Sequence, residues 1–277
     1  MTEISTAGVA VVTGAGRGLG RAVANRLAAL GHHVVATDID LAAAQETAAV
    51  LPSATALLLD VRDAAAHRAV AAKAAELGQI SVWVNNAGIL ATGVPWCMDD
   101  ATIANVIDVN LLGVIHGCRA AITTMAAGTG SGDVVNVSSL AGFSPVPGVG
   151  VYAATKSAVN SFTTSLAGDL KWAGLDRIRV HAFCPGAADT GMVRSVAADP
   201  YSALMHAASS LLEPDSVADA VVRMIGTDST LRSMPWARAV MVRTLGLTPT
   251  ASLRLLPYFR RRGEARRRAV LGLGPDD

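Results

Sequence analysis

Six short runs of Val, Ile, Leu and Ala recur along the first two-thirds of the chain, at 9–13, 34–38, 56–60, 82–85, 134–138 and 178–184. Each is near-continuously apolar, although Arg179 and His181 interrupt the last. A strand of that kind is buried on both faces, which is the situation of a central strand in a parallel sheet. Longer Ala-rich stretches separate the runs, at 18–30, 41–51, 64–77, about 100–126 and about 151–173, and their spacing predicts helices. Strands that alternate with helices in this way form right-handed βαβ units. The expected fold is therefore α/β, a Rossmann-type doubly wound parallel sheet in three layers. Residues 1–230 are read as one dinucleotide-binding catalytic domain, with a substrate-covering segment at about 187–213. Residues 231–277 are read as a basic, helical C-terminal extension.

Bulk composition supports a large core and narrows the function classes. The 277 residues are 51% hydrophobic and 16% charged, and aromatics are only 4%, so Ala, Val and Leu must fill the interior. A net charge of +1 gives no overall attraction to nucleic acid. Cys97, Cys118 and Cys184 are odd in number and scattered, which fits free thiols in a reducing compartment and no metal site. The N-terminal residues lack the basic and apolar regions of a signal peptide, and no apolar run reads as a membrane span. The expectation is a cytoplasmic protein. Charge is unevenly distributed: 231–277 holds ten arginines against Glu264, Asp276 and Asp277, so the tail is +7 and the remainder −6.

The first strand runs into Thr13-Gly14-Ala15-Gly16-Arg17-Gly18-Leu19-Gly20, where a helix begins. Glycines there allow a tight turn, close approach to a pyrophosphate and exposure of helix N-terminal N–H groups. An acid, Asp38, ends the second run about twenty residues further on, the position of a ribose-binding carboxylate. At ~4 Å a carboxylate would repel a 2′-phosphate by about 1 kcal/mol in water and about 4 at an effective dielectric near 20. Ile39 follows, and no base. NAD is the favoured cofactor; Arg17, beside the glycine turn, leaves NADP open.

Tyr152 and Lys156 are four residues apart, so a helix presents them on one face. An ammonium beside a phenol favours the phenolate, lowering a pKa that starts at about 10 and suiting the tyrosine to acid/base work. Ser138 and Ser139 end the fifth run, and one of their hydroxyls could face the phenol. A Ser/His/Asp hydrolase is disfavoured, because no G-x-S-x-G elbow is present.

Together these residues resemble the short-chain dehydrogenases/reductases. The match covers about 8–192 and comprises Thr13-Gly14-x-x-x-Gly18-x-Gly20, Asp60, Asn85-Asn86-Ala87-Gly88, Asn110, Ser139, Tyr152-x-x-x-Lys156 and Pro185-Gly186. The resemblance implies a catalytic set of Asn110, Ser139, Tyr152 and Lys156, and selects Ser139 over Ser138. Asn110 would distort its helix and hold a water on the lysine side. The resemblance implies cofactor contacts at Gly14, Arg17, Gly18, Leu19, Gly20, Asp38, Ile39, Asp60, Val61, Asn86, Ala87, Gly88, Tyr152, Lys156, Pro185, Gly186, Ala188 and Thr190, with Asp60 at the adenine edge. Two departures stand out. His181 occupies a frequent asparagine position and reads as a satisfied structural histidine, and the absence of a glycine-rich ending puts the last, seventh strand in doubt.

The implied activity is hydride transfer between a nicotinamide cofactor and the CH–OH or C=O group of an alcohol or ketone, with Tyr152 as acid/base. The alternative is a non-catalytic dinucleotide-binding regulatory or scaffold protein. Ser139, Phe143, Val146, Tyr152 and Met192 are the candidate substrate contacts, with Trp96 beside them, and their character points to a lipophilic compound. The implied assembly is a homo-oligomer, dimer or tetramer. In the tail, 235–245 reads as one helix, Thr248-Pro249 starts another, and Pro257 is expected to end or kink it. The tail has two readings: a solvated basic helix packed on the acidic remainder or a partner subunit, or a peripheral membrane contact in which Leu253, Leu255, Leu256, Tyr258 and Phe259 join the arginines.

Overall fold

The computed structural model describes residues 8–207 and 211–271. Positions 208–210 of the expected substrate cover, the N-terminal residues read for a signal peptide, and Asp276 and Asp277 lie outside them. Seven parallel strands form one sheet: β1 (Val9–Thr13), β2 (His33–Asp38), β3 (Ala54–Leu58), β4 (Ile80–Asn85), β5 (Gly132–Val137), β6 (Ile178–Pro185) and β7 (Leu231–Met234). Their order is β3-β2-β1-β4-β5-β6-β7, so the chain reverses direction across the sheet between β1 and β4. In doubly wound sheets the ligand crevice lies at that switch point, outside the C-terminal strand ends.

Side-chain alternation along each strand feeds two cores. Ala10, Val12, Val82, Val84 and Val135 pack on one face with α1 (Gly18–Ala29) and α8 (Pro214–Val222). Val9, Val11, Trp83, Val134 and Val180 pack on the other with α3 (Ala64–Leu77), α5 (Gly113–Ala127) and α6 (Gly150–Trp172). The remaining helices are α2 (Leu41–Ala49), α4 (Asp100–Ile107), α7 (Gly191–Ser195), α9 (Trp236–Leu247) and α10 (Pro249–Leu271). Asp40, Asp63 and Asp99 cap α2, α3 and α4 by accepting backbone N–H bonds.

Four expectations need correction. The doubted seventh strand exists: Leu231–Met234 pairs with β6 from Ala182↔Leu231 to Pro185↔Met234, although no glycine-rich sequence follows. Four residues of backbone pairing need no glycine, and the stretch assigned to the tail begins inside the sheet. The segment Asp100–Ala127 is long and apolar enough, by length and composition, to cross a membrane. One side of it is core, with Val106, Val114, Cys118, Ala121 and Met125 buried, while Ile107 and Leu112 are exposed. It is also not one regular helix, since Asp108–Leu112 forms a π-helical turn between α4 and α5.

Pro257 does not end α10, which runs through it. The freed carbonyl at Leu253 and the proline ring both lie on the exposed side, where water can hydrate the break. The second half of α10 is held by tertiary contacts: Arg267 is buried and donates to the Ala197 and Ala198 carbonyls, and Arg266 donates to Ala207. The tail is therefore not a freely solvated basic helix. It packs across Pro200–Ala207, with Gly263 so close that a Cβ there would lie 1.9 Å from the Ala203 carbonyl oxygen.

Candidate active site

A cavity of about 700 Å³ runs along the C-terminal strand ends, from Asp38 and Asp60 past Gly14–Gly20 to Ser139, Tyr152 and Lys156. Its nucleotide end begins at the turn after β1. Gly14 (φ 64°) and Gly18 (φ 54°) take the left-handed conformation that side chains resist. A Cβ at Gly20 would lie 2.0 Å from the Gly14 carbonyl oxygen, so only glycine permits this crossing of turn and helix. Arg17 is the N-cap of α1, yet no side chain caps the helix and no acid occupies its first turn. Its N–H groups and positive dipole end are left available to an anion at the cavity wall.

Polar contacts lock this turn in place. Asp38 accepts from Gly16 N (2.9 Å) and Asp40 N (3.1 Å) and is 8% exposed. Thr13 Oγ1 accepts from Asn86 N and Ala87 N, while Asn86 Nδ2 donates to the Thr13 and Gly14 carbonyls. Two arginines that sequence reasoning passed over complete the frame. Arg21 donates to the Gly16 carbonyl and to Thr47 Oγ1. Arg62 holds both oxygens of Asp60, and the bond from Arg62 lowers the Asp60 pKa. The carboxylate expected at the adenine edge thus has its charge neutralised by its own near neighbour. Position i+2 to an acid at a strand end was the available signal for Arg62.

At the catalytic end, Ser139 caps a short 3-10 turn at Leu140–Gly142 and lines the cavity together with Tyr152. Ser138 is buried and turns away, donating to the Lys156 carbonyl (3.0 Å). Lys156 is also buried, and its Nζ donates to the Val137 carbonyl (2.9 Å), 5.6 Å from the Tyr152 ring centre. A Cβ at Gly88 would crowd Asn110 Oδ1, at 3.1 Å. Asn110 lies in the π-helical turn, buried, exchanging hydrogen bonds with Ile89 N and O, both 2.8 Å. The wider turn lets a helix interior residue reach the neighbouring loop.

The expected lowering of the Tyr152 pKa by Lys156 does not appear in this state. Burial raises the phenol above its ordinary value, with the Ser139 bond acting in the opposite direction. Burial pushes Lys156 down to about 8. The reason is orientation: the ammonium bonds the Val137 carbonyl rather than the phenol oxygen.

Of the remaining cofactor residues, Leu19, Ile39, Val61, Ala87, Pro185, Gly186, Ala188 and Thr190 all line the cavity. Thr190 faces Gly18 across it, its Cγ2 3.6 Å from where a Gly18 Cβ would be. The uncapped helix, the glycine turn that a Cβ would fill and the carboxylate at the end of β2 fit a dinucleotide. Val146 and Met192 line the cavity, but Phe143 does not. Phe143 packs beneath α9, with the Arg243 guanidinium 4.6 Å from its ring centre, and borders a second hollow together with the exposed Trp96. Two consecutive turns after Ser139 point its side chain outward from the cleft. His181 bonds Asp133 Oδ1 and the Ser229 carbonyl, fully buried, as a structural histidine.

The largest omission of the sequence reading is the roof. Arg238, Met241, Val242 and Leu245 of α9 and Leu256 and Phe259 of α10 line the cavity. Leu256 and Phe259 are thereby removed from the proposed membrane-facing set, leaving Leu253, Leu255 and Tyr258 exposed. The apolar spacing 241, 242, 245 was a legible helical face; what it covered was not.

Comparison with known proteins agrees with this geometry. Residues 8–200 match the family model described as short chain dehydrogenase, and the chain belongs to that family. It is 39% identical over 188 residues to a probable oxidoreductase, EphD, of Mycobacterium tuberculosis, spanning only 31% of that protein's length and 66% of this chain. A 1-deoxy-11-beta-hydroxypentalenate dehydrogenase of Streptomyces avermitilis is 35% identical over 226 residues, 79% of this chain and 81% of that protein. The 2-(R)-hydroxypropyl-CoM dehydrogenase of Xanthobacter autotrophicus is 35% identical over 195 residues, 67% of this chain and 76% of that one. Among solved structures, a short-chain dehydrogenase/reductase of Burkholderia phymatum in complex with NAD superimposes with a TM-score of 0.78 at 30% identity, covering 85% of this chain and 92% of its own.

Proposed function

We propose that this chain catalyses reversible oxidation of a lipophilic alcohol to its ketone with NAD, using Tyr152 as the acid/base. The observation that carries this reading is that Ser139, Tyr152 and Lys156 line one cavity, continuous with the glycine turn and Asp38. A bound nicotinamide cofactor would accept or return the hydride. Ser139 holds the substrate oxygen and disperses the charge that develops on it. Tyr152 takes the hydroxyl proton in oxidation and returns it in reduction. Burial that raises the free phenol also makes a neighbouring cation more effective, so Lys156 assists once its Nζ swings from the Val137 carbonyl toward the cleft. Asn110, tied to Ile89, keeps the loop after β4 in register with Lys156.

Asp38 supports NAD over NADP, because its carboxylate is already anchored by two backbone N–H groups and would meet a second anion unneutralised. Val146, Met192, Leu245, Leu256 and Phe259 support a lipophilic substrate. Two relatives named as dehydrogenases of hydroxylated compounds support the CH–OH group as the reacting centre. Tyr152→Phe tests the mechanism. NADH formation from a panel of secondary alcohols should fall by about a hundredfold or more, while NAD affinity by fluorescence titration stays within about twofold. Wild-type turnover in Tyr152→Phe sinks the assignment.

A further inference from the structure

One cation in the cavity has no assigned task. Arg238, third residue of α9, lines the cavity beside Gly186, its Nη1 3.6 Å from the position of a Gly186 Cβ. It is partly buried and makes no hydrogen bond or ion pair with any described residue. Its neighbours in the tail are differently placed: Arg232 and Arg243 bond Arg223 O and Ser233 Oγ, and Arg266 and Arg267 bond carbonyls of the cover. Burial opposes the charge of Arg238 and lowers its pKa. The helix adds to the cost, since a cation in the first turn faces the positive end of the dipole, and α9 has no acid there to offset it. Burial and the helix dipole both oppose a guanidinium at this position.

The surroundings indicate what would. The acids on the cavity wall are Asp38 and Asp60, both at the nucleotide end, one anchored by backbone N–H groups and the other by Arg62. Among the described residues the substrate end has none. Apolar side chains, among them Met241, Val242, Leu245, Leu256 and Phe259, share the lining with Ser139, Tyr152 and Arg238. A guanidinium in such a setting presents a planar fork of donors matched to a carboxylate, and the low polarity around it strengthens the pairing.

We infer that the substrate is an amphipathic acid: an apolar alcohol or ketone that carries a carboxylate, held by Arg238 away from the reacting carbon. The inference deepens the oxidoreductase reading and rests on it for the position of the alcohol, but anion binding itself does not depend on turnover. A specificity role of this kind was invisible in the sequence, where Arg238 was one of ten arginines in a basic tail.

The test uses the full chain saturated with NADH and measures binding of laurate and of methyl laurate, which share the apolar chain and differ in charge. Wild type should bind laurate between about tenfold and about a hundredfold more tightly than the ester, the range for a hydrogen-bonded charge pair. Arg238→Met should reduce that preference to within about twofold while leaving ester binding and NADH affinity unchanged. Arg238→Lys should retain part of it, since the charge remains and the fork does not. No preference in wild type overturns the inference. So does an equal loss of laurate and ester binding in Arg238→Met, or a parallel loss of NADH affinity, which would assign Arg238 to the cofactor or to the fold. Laurate preference that depends on Arg238, with no oxidation of ω-hydroxylaurate or any secondary alcohol tried, would support the anion site and count against the hydride-transfer reading alone.

Discussion

Replacing Asp38 by Asn removes one charge while changing almost nothing in shape, and the structure sets two separate magnitudes for the result. The carboxylate ends β2 with Oδ2 accepting from Gly16 N and Oδ1 from Asp40 N, and it is 8% exposed. As a charge, it repels another anion at ~4 Å by about 1 kcal/mol in water and about 4 at an effective dielectric near 20. Neutralising it should therefore shift the ratio of kcat/KM for NAD over NADP toward NADP by between about fivefold and about a thousandfold. Its low exposure and the cavity wall around it favour the upper half of that range. As an acceptor pair, Asn keeps one oxygen and replaces the other by an amide NH2, leaving one of the two backbone N–H groups facing a donor. That loss costs about 1–3 kcal/mol and should lower Tm by a few degrees. Steady-state rates with both cofactors, at low and high salt, separate the effects, because salt screens the charge term and not the lost acceptor. A cofactor ratio unchanged within about twofold, alongside the expected fall in Tm, would refute the assignment of Asp38 as the electrostatic selector.

Two further outcomes follow from buried groups outside the chemistry. His67 is fully buried, bonds the Val61 carbonyl through Nε2 (3.0 Å), and burial lowers its pKa to about 4. Because the folded value lies below the unfolded ~6.5, its contribution to stability is complete above that pH and is lost as pH falls toward 4. Urea unfolding should show about 2 kcal/mol less stability from this group at pH ~4.5 than at pH ~7, a loss that His67→Gln should not show. Asp133, which burial alone would raise but which hydrogen bonds from His181, Arg179 and Gly226 N hold at about 2, stays ionised throughout that window. Equal pH dependence in the two proteins would contradict the assignment to His67. Separately, Gly263→Val should lift α10 from Pro200–Ala207, since even a Cβ would collide with the Ala203 carbonyl. With Leu256 and Phe259 displaced, KM for an apolar substrate should rise at least about tenfold, each such side chain contributing about 1.5–3 kcal/mol when buried, and NAD affinity should hold. Unchanged KM would mean that the roof does not touch substrate.

Much of the architecture was legible in sequence because its signals are local. The apolar runs near 9–13 and 178–184 suit strands buried on both sides, and the glycines at 14, 18 and 20 are required by left-handed backbone at 14 and 18 and by the close approach of Gly20 to Gly14. Tyr152 and Lys156 share a helix face by spacing alone, while Asn110 was marked by the family resemblance, and the chain forms a π turn there. The strand at Leu231–Met234 carried no such signal, since four residues acquire strand geometry only by pairing with β6. That α10 continues past Pro257 was not legible, because helix propensity counts the lost hydrogen bond and not the contacts of Gly263, Arg266 and Arg267 with the cover.

What the sequence determined by itself was the set of residues able to handle a dinucleotide and a proton, each at the end of a strand or on a helix face fixed by short-range spacing. Tertiary structure alone decided how those groups are poised and what stands opposite them. Lys156 bonds the Val137 carbonyl, burial raises Tyr152 instead of leaving it lowered, and Phe143 turns out of the cleft. It also brought α9 and α10, a hundred residues downstream of the catalytic serine, over the substrate end and set Arg238 there. Proton and cofactor chemistry depends on neighbours within a turn or two. Desolvation and the walls of a cavity depend on segments that meet only when the whole chain has folded.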